Sequence, residues 1–438
     1  MKLHFISLGC PKNLVDSEVM LAQLVGEGYE LIDDPKLADV ITVNTCAFVE
    51  DAKKEAIDTI LQMVEFKKEG SCKLLIVTGC LPQRYESELV DLIPEVDIFV
   101  GTGEFHRIAD LIKQWTGEQR VEVARPEYIY DHTTPRLHTG SKHVAYLKIA
   151  EGCFHPCSFC IIPKLRGAFR SRPMESIIDE ARMMIEGGVR EINLIAQDTT
   201  AYGRDIGVNL QALLTRLEDL PGRRWFRLLY AYPHGFPDSV IEAIGIHPDI
   251  CSYVDLPIQH ISDGVLARMG REGEGAEIRS LIQSLRRHVP DISLRTTLIV
   301  GFPGETDEEY HELVDFICET KFDHLGVFTF SPEEGTKAAQ LTDQIPHDVA
   351  ERRRAEIMDV QRDISLANNH EYLGQTLLAL IDGSSSETDM LLEGRHRGQA
   401  PEIDGVIYIN EGLAAAGDFT KVEITEAHEY DLVGRIVG

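Results

Sequence analysis

Predicted β-strands and helices alternate along two stretches of this chain, residues 1–115 and 144–331. In the first stretch, short apolar segments are separated by segments with apolar residues at helical spacing. The predicted strands lie at residues 4–8, 38–45 and 73–79. Because strands that alternate with helices form a mainly parallel sheet, this stretch predicts an α/β domain, to which we assign residues 1–125.

The second stretch predicts another α/β unit. Residues 117–142, which precede it, are polar, contain prolines and are typical of a linker. Strands are predicted at residues 144–150, 190–197, 225–231, 253–259, 293–301 and 324–331. A complete barrel of eight βα units needs more chain than this. We therefore expect a partial (β/α)6 barrel over residues 136–370, ending in a charged helix at 346–372.

The last part of the chain, residues 372–438, changes pattern. Its short β-type segments predict a small antiparallel β barrel. A length of 438 residues agrees with two to three domains, because a single core stops growing at about 250–300 residues. The overall prediction is an α/β protein with a small terminal barrel.

Three cysteines stand within eight residues directly after the strand at 144–150. Cys153, Cys157 and Cys160 form a C-x-x-x-C-x-x-C array. Three thiolates can ligate three irons of a cubane cluster and leave the fourth iron open to a ligand. The alternative is a zinc site, but structural zinc needs four ligands, and no fourth ligand stands at suitable spacing, although His155 lies inside the loop.

Three further cysteines each follow a predicted strand of the first domain. Cys10, Cys46 and Cys80 end the segments ISLGC, TVNTC and IVTGC. Parallel strands end at the same edge of a sheet, where open α/β sheets bind their ligands, so these thiols predict a second cluster site. Three buried structural cysteines are the alternative. The remaining cysteines, which share no such pattern and are expected to be inert, are Cys72, Cys251 and Cys318.

The array at 153–160, with Phe159 before its last cysteine, resembles the radical S-adenosylmethionine superfamily. The resemblance implies that the open iron binds S-adenosylmethionine and that Phe159 lies against the adenine. RTTLIVGFPGE (295–305) resembles the adenosine-binding segment of the superfamily, which assigns Ile299 and Gly301 to the cofactor. Gln259 is expected at the ribose. Glu305 stands one position later than the superfamily pattern, and a Gly-Gly-Glu segment after the second barrel strand is absent.

The whole chain resembles the methylthiotransferases of that superfamily, most closely the branch that modifies an aspartate of protein twelve of the small ribosomal subunit. The resemblance implies two 4Fe-4S clusters, S-adenosylmethionine, a TRAM-like terminal barrel, and separate electron and sulfur donors. It implies methylthio transfer to the aspartate β-carbon, with sulfur from the amino-terminal cluster. The segments that carry it are SLGCPKNLVDSE (7–18), NTCAFVEDAKKEAID (44–58), GCLPQRY (79–85), GCFHPCSFCIIPKLRG (152–167), QDTTAYG (197–203), PIQHISD (257–263) and SPEEGT (331–336).

Charge separates this branch from the one that modifies adenosine in transfer RNA. The chain has a net charge of −29, and residues 372–438 hold 12 acidic and 4 basic residues. Such a barrel repels phosphates and argues against direct nucleic-acid binding, whereas it attracts a basic ribosomal protein. Arg395 and Arg397 are the candidates for a small basic spot. The alternatives are a transfer RNA adenosine methylthiotransferase and a non-enzymatic iron–sulfur or zinc protein.

No apolar run approaches the roughly 20 residues that span a bilayer, so we expect a cytoplasmic protein without a membrane partner. Two carboxylate pairs, Glu308–Glu309 and Glu333–Glu334, are expected to be solvated rather than catalytic. His234 and His260 follow barrel strands, where substrate contact and simple packing are equally good interpretations.

Overall fold

A computed structural model of the protein describes residues 1–385, 387, 388 and 390–437. Ser386, Asp389 and Gly438, which belong to the predicted terminal barrel, lie outside the described residues. None of the described helices combines the length and the apolar composition that a membrane span requires.

The amino-terminal part is a six-stranded sheet in which every neighbouring pair is parallel. Its strands are β1 (Lys2–Ser7), β2 (Glu30–Leu31), β3 (Val40–Thr45), β4 (Leu74–Gly79), β5 (Ile98–Val100) and β6 (Arg120–Glu122), in the spatial order β2-β1-β3-β4-β5-β6. The helices of this part are α1 (Pro11–Gly26), α2 (Glu50–Glu69), α3 (Cys80–Leu92) and α4 (Ile108–Lys113). The three predicted strands are β1, β3 and β4, and they are direct neighbours.

Strand β6 corrects the sequence interpretation of residues 117–142 as a linker. Arg120–Glu122 pairs with β5 and forms the sheet edge. The strand is short and partly exposed, so it lacks the apolar run that identifies a buried strand. Helix α2, in contrast, carries plain sequence signals: Glu50 and Asp51 lie in its first turn, and Lys67 and Lys68 in its last turn. These charges match the helix dipole.

The middle part contains a second six-stranded parallel sheet, as predicted. In spatial order its strands are β7 (Val144–Lys148), β10 (Glu191–Ile195), β11 (Trp225–Leu228), β12 (Ile250–Asp255), β13 (Ser293–Val300) and β14 (His324–Thr329). A short antiparallel pair, β8 (Ala150–Glu151) and β9 (Arg170–Ser171), flanks the cysteine loop. The helices are α5 (Ile162–Arg166), α6 (Met174–Glu186), α7 (Leu210–Glu218), α8 (Asp238–Ile246), α9 (Asp263–Arg268), α10 (Gly275–His288), α11 (Asp307–Thr320) and α12 (His347–His370).

The terminal part is a closed five-stranded barrel. Its strands are β15 (Thr376–Ser384), β16 (Leu392–His396), β17 (Ile407–Glu411), β18 (Phe419–Ala427) and β19 (Leu432–Ile436). The pairing is antiparallel except between β17 and β19, which run parallel. Strand β16 contains Gly394, Arg395 and His396 and was not predicted, because polar residues dilute its β pattern.

The terminal barrel packs against the amino ends of the parallel strands of the middle part. Arg395 forms an ion pair of 2.6 Å with Glu191, the first residue of β10. Phe419 packs edge-on against Trp225, the first residue of β11, with 5.0 Å between ring centroids. Arg395 is only 2% exposed, so the predicted basic spot at this position is wrong. Its charge is used inside the domain contact.

Replacing Arg395 by methionine is expected to lower the free energy of unfolding by about 3 kcal/mol, because two carboxylates lose a guanidinium. Among the described residues, the buried Glu191 keeps only Arg227, at 2.8 Å, and Asp382 loses its 2.8 Å pair with Arg395. The matched control is Arg435→Met, whose pair with Glu423 is 48% and 32% exposed at its two side chains. That change should cost less than about 1 kcal/mol. Urea denaturation of both variants measures the difference, and equal losses would contradict a buried role for Arg395.

Candidate active site

All six cysteines of the two predicted groups line one cavity of about 360 Å³. Cys10, Cys46 and Cys80 follow β1, β3 and β4, at the carboxyl edge of the amino-terminal sheet. Cys153, Cys157 and Cys160 lie in the loop after β8. We call this space the cysteine cavity. It lies between the carboxyl edges of the two parallel sheets, where α/β proteins place their ligand sites.

Two glycines allow the first three cysteines to approach one another. Gly9 has φ +90°, and a Cβ atom at this position would lie 2.6 Å from Cys46 Cβ. Gly79 has φ +97°, and a Cβ atom there would lie 2.6 Å from the Thr45 carbonyl oxygen. Only glycine adopts such backbone angles without strain and also leaves this space empty.

Burial raises the pKa of several of these thiols. The pKa of Cys80 is raised to about 12 and that of Cys160 to about 12, with desolvation as the main cause in both. The pKa of Cys153 is raised to about 11 for the same reason. A thiolate in so dry a place needs a bound cation, and a metal centre supplies one.

Each cysteine group offers three thiols, and this donor chemistry fits an iron–sulfur cluster. In the described part of the chain, no three His, Cys, Asp or Glu side chains form a group that could hold a single metal ion. Thiols that ligate different irons of one cubane stand farther apart than ligands of one ion, because the cluster itself has size. Cys72, Cys251 and Cys318 do not line the cysteine cavity.

Of the four residues expected to bind S-adenosylmethionine, two line the cysteine cavity and two do not. Phe159 and Gln259 line the cysteine cavity. Ile299 packs in the same small cluster as Phe159, and its N–H donates a 2.8 Å hydrogen bond to the Gln259 carbonyl. Gly301 lies farther along the chain in a turn against helix α12, where a Cβ atom would meet Ala350.

Four buried charged side chains next to the cavity form a cluster that the sequence analysis did not predict. They are Asp16, Lys148, Glu151 and Arg166. Asp16 accepts hydrogen bonds from Lys148 at 2.6 Å and from Arg166 at 2.5 Å. Lys148 also donates to Glu151 at 2.6 Å, and Arg166 Nη2 lies 3.8 Å from Cys80 Sγ. This cluster ties helix α1 to the first barrel strand and to the cysteine loop.

Two further side chains belong to the cavity wall, His155 from the cysteine loop and Arg271, which the sequence did not indicate. His155 lies 2.7 Å from Asp198 and stacks on Tyr232 with 3.7 Å between ring centroids. The Arg271 guanidinium lies over the same Tyr232 ring, 4.4 Å from its centroid, and donates a hydrogen bond to the Pro257 carbonyl. Arg271 lies 111 positions after Cys160 in the sequence, so local spacing carries no signal for it.

Lys12 lies at the point where the two halves of the cavity meet. Its Nζ atom lies 2.9 Å from the centroid of the Tyr230 ring, and the residue is only 7% exposed. Burial lowers the pKa of Lys12 to about 8. Its position two residues after Cys10, inside a segment that carries the family resemblance, is the signal that could have identified it.

Of the four paired carboxylates, one contradicts the expectation of solvation. Glu333 is 3% exposed and forms ion pairs with Arg84 at 2.7 Å and Lys53 at 3.0 Å. These pairs join the middle part of the chain to the amino-terminal part. Sequence alone does not reveal this, because both partners lie about 250 residues or more away. Glu309 caps helix α11 together with Thr306. Glu308 and Glu334 are exposed, as expected.

His234 and His260, which follow barrel strands, lie in different environments, and neither lines the cysteine cavity. His260 is fully buried and accepts a hydrogen bond from the Ser262 N–H at 3.0 Å, which is a packing role. His234 is partly exposed and lies 2.8 Å from Glu277.

Three family models match consecutive parts of the chain. Residues 2–101 match the uncharacterized protein family UPF0004, residues 147–317 match the Radical SAM superfamily, and residues 373–437 match the TRAM domain. The superfamily implies a 4Fe-4S cluster and S-adenosylmethionine. The predicted radical core and the TRAM-like barrel are confirmed.

Solved structures share the fold at low identity. TsrM from Kitasatospora setae, a radical S-adenosylmethionine methyltransferase with cobalamin and a [4Fe-4S] cluster bound, matches with a TM-score of 0.56 and 15% identity, covering 77% of this chain and 76% of that one. OxsB, a cobalamin-dependent S-adenosylmethionine radical enzyme, matches with a TM-score of 0.54 and 13% identity, covering 83% of this chain and 57% of that one.

Curated relatives match over the full length. The proteins from Geotalea uraniireducens and Geobacter sulfurreducens are 52% and 50% identical, over 100% of this chain and 98% of each relative. The protein from Myxococcus xanthus is 48% identical over 99% of this chain and 91% of its own length. All three are named ribosomal protein uS12 methylthiotransferase RimO. These matches confirm the predicted branch over the transfer RNA branch and over a non-enzymatic protein.

The chain shares about half of its residues with these relatives over its whole length, and the matching domain models agree. This transferase therefore belongs to the RimO family of radical S-adenosylmethionine methylthiotransferases.

Proposed function

We propose that this chain transfers a methylthio group to the β-carbon of an aspartate in ribosomal protein uS12. The observation that carries the proposal is the meeting of all six cysteines in one cavity, in a chain whose relatives bear the uS12 name. The proposed domains are residues 1–125 for the amino-terminal domain, 136–370 for the radical core and 372–438 for the TRAM barrel.

Each cysteine group is proposed to hold one 4Fe-4S cluster. Cys153, Cys157 and Cys160 would hold the cluster that binds S-adenosylmethionine, and the second would be held by Cys10, Cys46 and Cys80. When bound, these groups supply the electron that cleaves S-adenosylmethionine and the sulfur that is transferred. The aspartate β-carbon is unactivated, so acid–base chemistry at neutral pH does not replace them.

The protein's own part is to position these groups and to keep water away. Phe159 is proposed to lie against the adenine and Gln259 to contact the ribose, with Ile299 and Gly301 supporting the adenosine side. Apolar side chains such as Phe48, Ile162 and Leu165 line the cysteine cavity. A dry, closed cavity protects reactive species from quenching.

Charge supports the proposed protein partner. The chain carries a net charge of −29, and a basic ribosomal protein is attracted to such a surface. A ribosomal protein substrate also favours a cytoplasmic location. Turnover would further require an electron donor and a sulfur donor as partners.

The test is to incubate the anaerobically reconstituted protein with uS12, S-adenosylmethionine, a reductant and sulfide. Mass spectrometry should find one methylthio group on one aspartate of uS12. The control is uS12 with that aspartate replaced by alanine, which should stay unmodified. Methylthioadenosine in transfer RNA, with uS12 unchanged, would refute the proposal.

A further inference from the structure

Lys12 is a buried cation that makes no direct contact with an anion among the described residues, although the charges of Cys10, Asp255 and Glu151 act on it. Its residue is 7% exposed, and within the described ranges its ammonium forms no hydrogen bond and no ion pair, although it lies over the Tyr230 ring at 2.9 Å from the centroid. Burying a charge without a direct partner is costly, and a bound anion would offset that cost. Lys12 therefore indicates a binding role.

Apart from the six cysteines, the charged side chains that line the cysteine cavity are cationic. Of the described residues that line it, Lys12, Arg166 and Arg271 are cationic, and none is Asp or Glu. Two of these cations already have partners in the protein. Arg166 donates to Asp16 at 2.5 Å, and Arg271 donates to the Pro257 carbonyl at 2.8 Å. Of these three cations, Lys12 is the one that makes no direct hydrogen bond or ion pair with a described residue.

The position of Lys12 is set between the two cysteine groups. It lies in the first turn of α1, two residues after Cys10, while Tyr230 beneath it follows barrel strand β11. In the proposed reaction, the aspartate β-carbon meets the radical formed at one cysteine group and the sulfur held at the other. It must therefore lie between the two groups, close to Lys12. In an aspartate, the carboxylate is bonded directly to the β-carbon. Whatever binds the carboxylate must therefore lie within a few ångströms of the reacting carbon.

We propose that the Lys12 ammonium binds the side-chain carboxylate of the target aspartate and so selects Asp at this position. This inference rests on the proposed function, because it takes the substrate from it. The Tyr230 ring fixes the lysine beneath the carboxylate through a cation–π contact. Arg166 and Arg271, which are held by other groups, set the sign of the surrounding potential.

The experiment compares binding of uS12 and of its Asp→Asn variant to the iron-loaded protein in the presence of S-adenosylmethionine. The wild-type protein should bind the Asp form about 10- to 100-fold more tightly, as expected for a charged hydrogen bond in a dry site. In Lys12→Met this ratio should fall to about one, because the affinity for the Asp form drops while that for the Asn form stays the same.

The matched control is Lys54→Met, the same substitution at an exposed lysine of α2. It should keep the wild-type Asp/Asn ratio. An unchanged ratio in Lys12→Met overturns the inference while leaving methylthio transfer by the wild-type protein intact. A weakened affinity for S-adenosylmethionine in Lys12→Met would assign the ammonium to the cofactor carboxylate and overturn it too.

Iron content gives a second, independent measure. If Lys12→Met contains less iron than the wild-type protein, the ammonium supports the cluster on Cys10, Cys46 and Cys80, and the inference is wrong. An equal iron content with a lost Asp/Asn ratio supports it. Failure of the wild-type protein to modify uS12 at all would instead refute the proposed function.

Discussion

Replacing Cys153 by alanine is expected to abolish 5′-deoxyadenosine formation and to lower the iron content from about eight to about four atoms per chain. The physical reason is that three thiolates are proposed to hold the cluster at this loop, and two are too few to keep a cubane in place. Product analysis by chromatography and an iron assay on the reconstituted protein measure both effects.

Cys10→Ala is the contrasting variant, because it removes a ligand from the other group. It should lose a similar amount of iron and stop methylthio transfer, while 5′-deoxyadenosine still forms without sulfur insertion. Cys318→Ala, at an exposed cysteine away from the cysteine cavity, should change neither quantity. If Cys153→Ala still produced 5′-deoxyadenosine, the assignment of this loop to S-adenosylmethionine would be wrong.

Replacing Arg166 by methionine is expected to lower the free energy of unfolding by about 3–5 kcal/mol. Arg166 and Lys148 together balance the carboxylates of Asp16 and Glu151, and the side chains of all four are at most 7% exposed. Without Arg166, two buried carboxylates share one ammonium. Urea denaturation followed by circular dichroism measures the loss.

The control is Arg182→Met, whose pair with Asp179 has side chains that are 45% and 39% exposed. Solvent screens this pair, so its loss should cost less than about 1 kcal/mol. The Arg166 variant should also bind less iron at the amino-terminal group, because Arg166 Nη2 lies 3.8 Å from Cys80 Sγ. An Arg166 variant as stable as the Arg182 variant would show that the buried charges rearrange without cost.

The sequence by itself determined the order of the elements and the identity of both cysteine groups. Local apolar patterns identified β1, β3 and β4, and a cysteine follows each of them within three residues. Parallel strands share an edge, so convergence of Cys10, Cys46 and Cys80 followed from the pattern without any long-range information. The C-x-x-x-C-x-x-C spacing is equally local, because one loop contains all three residues.

Only the tertiary structure decided how the charges pair and where the lone cation lies. The ion pair of Glu333 with Arg84, that of Arg395 with Glu191 and the contact of Lys12 with Tyr230 each join residues about 200 or more positions apart. No periodicity connects such residues, since the packing of whole domains sets their distance. A charged residue is expected to be exposed to solvent. It is buried only where folding brings a specific partner or a ligand site next to it.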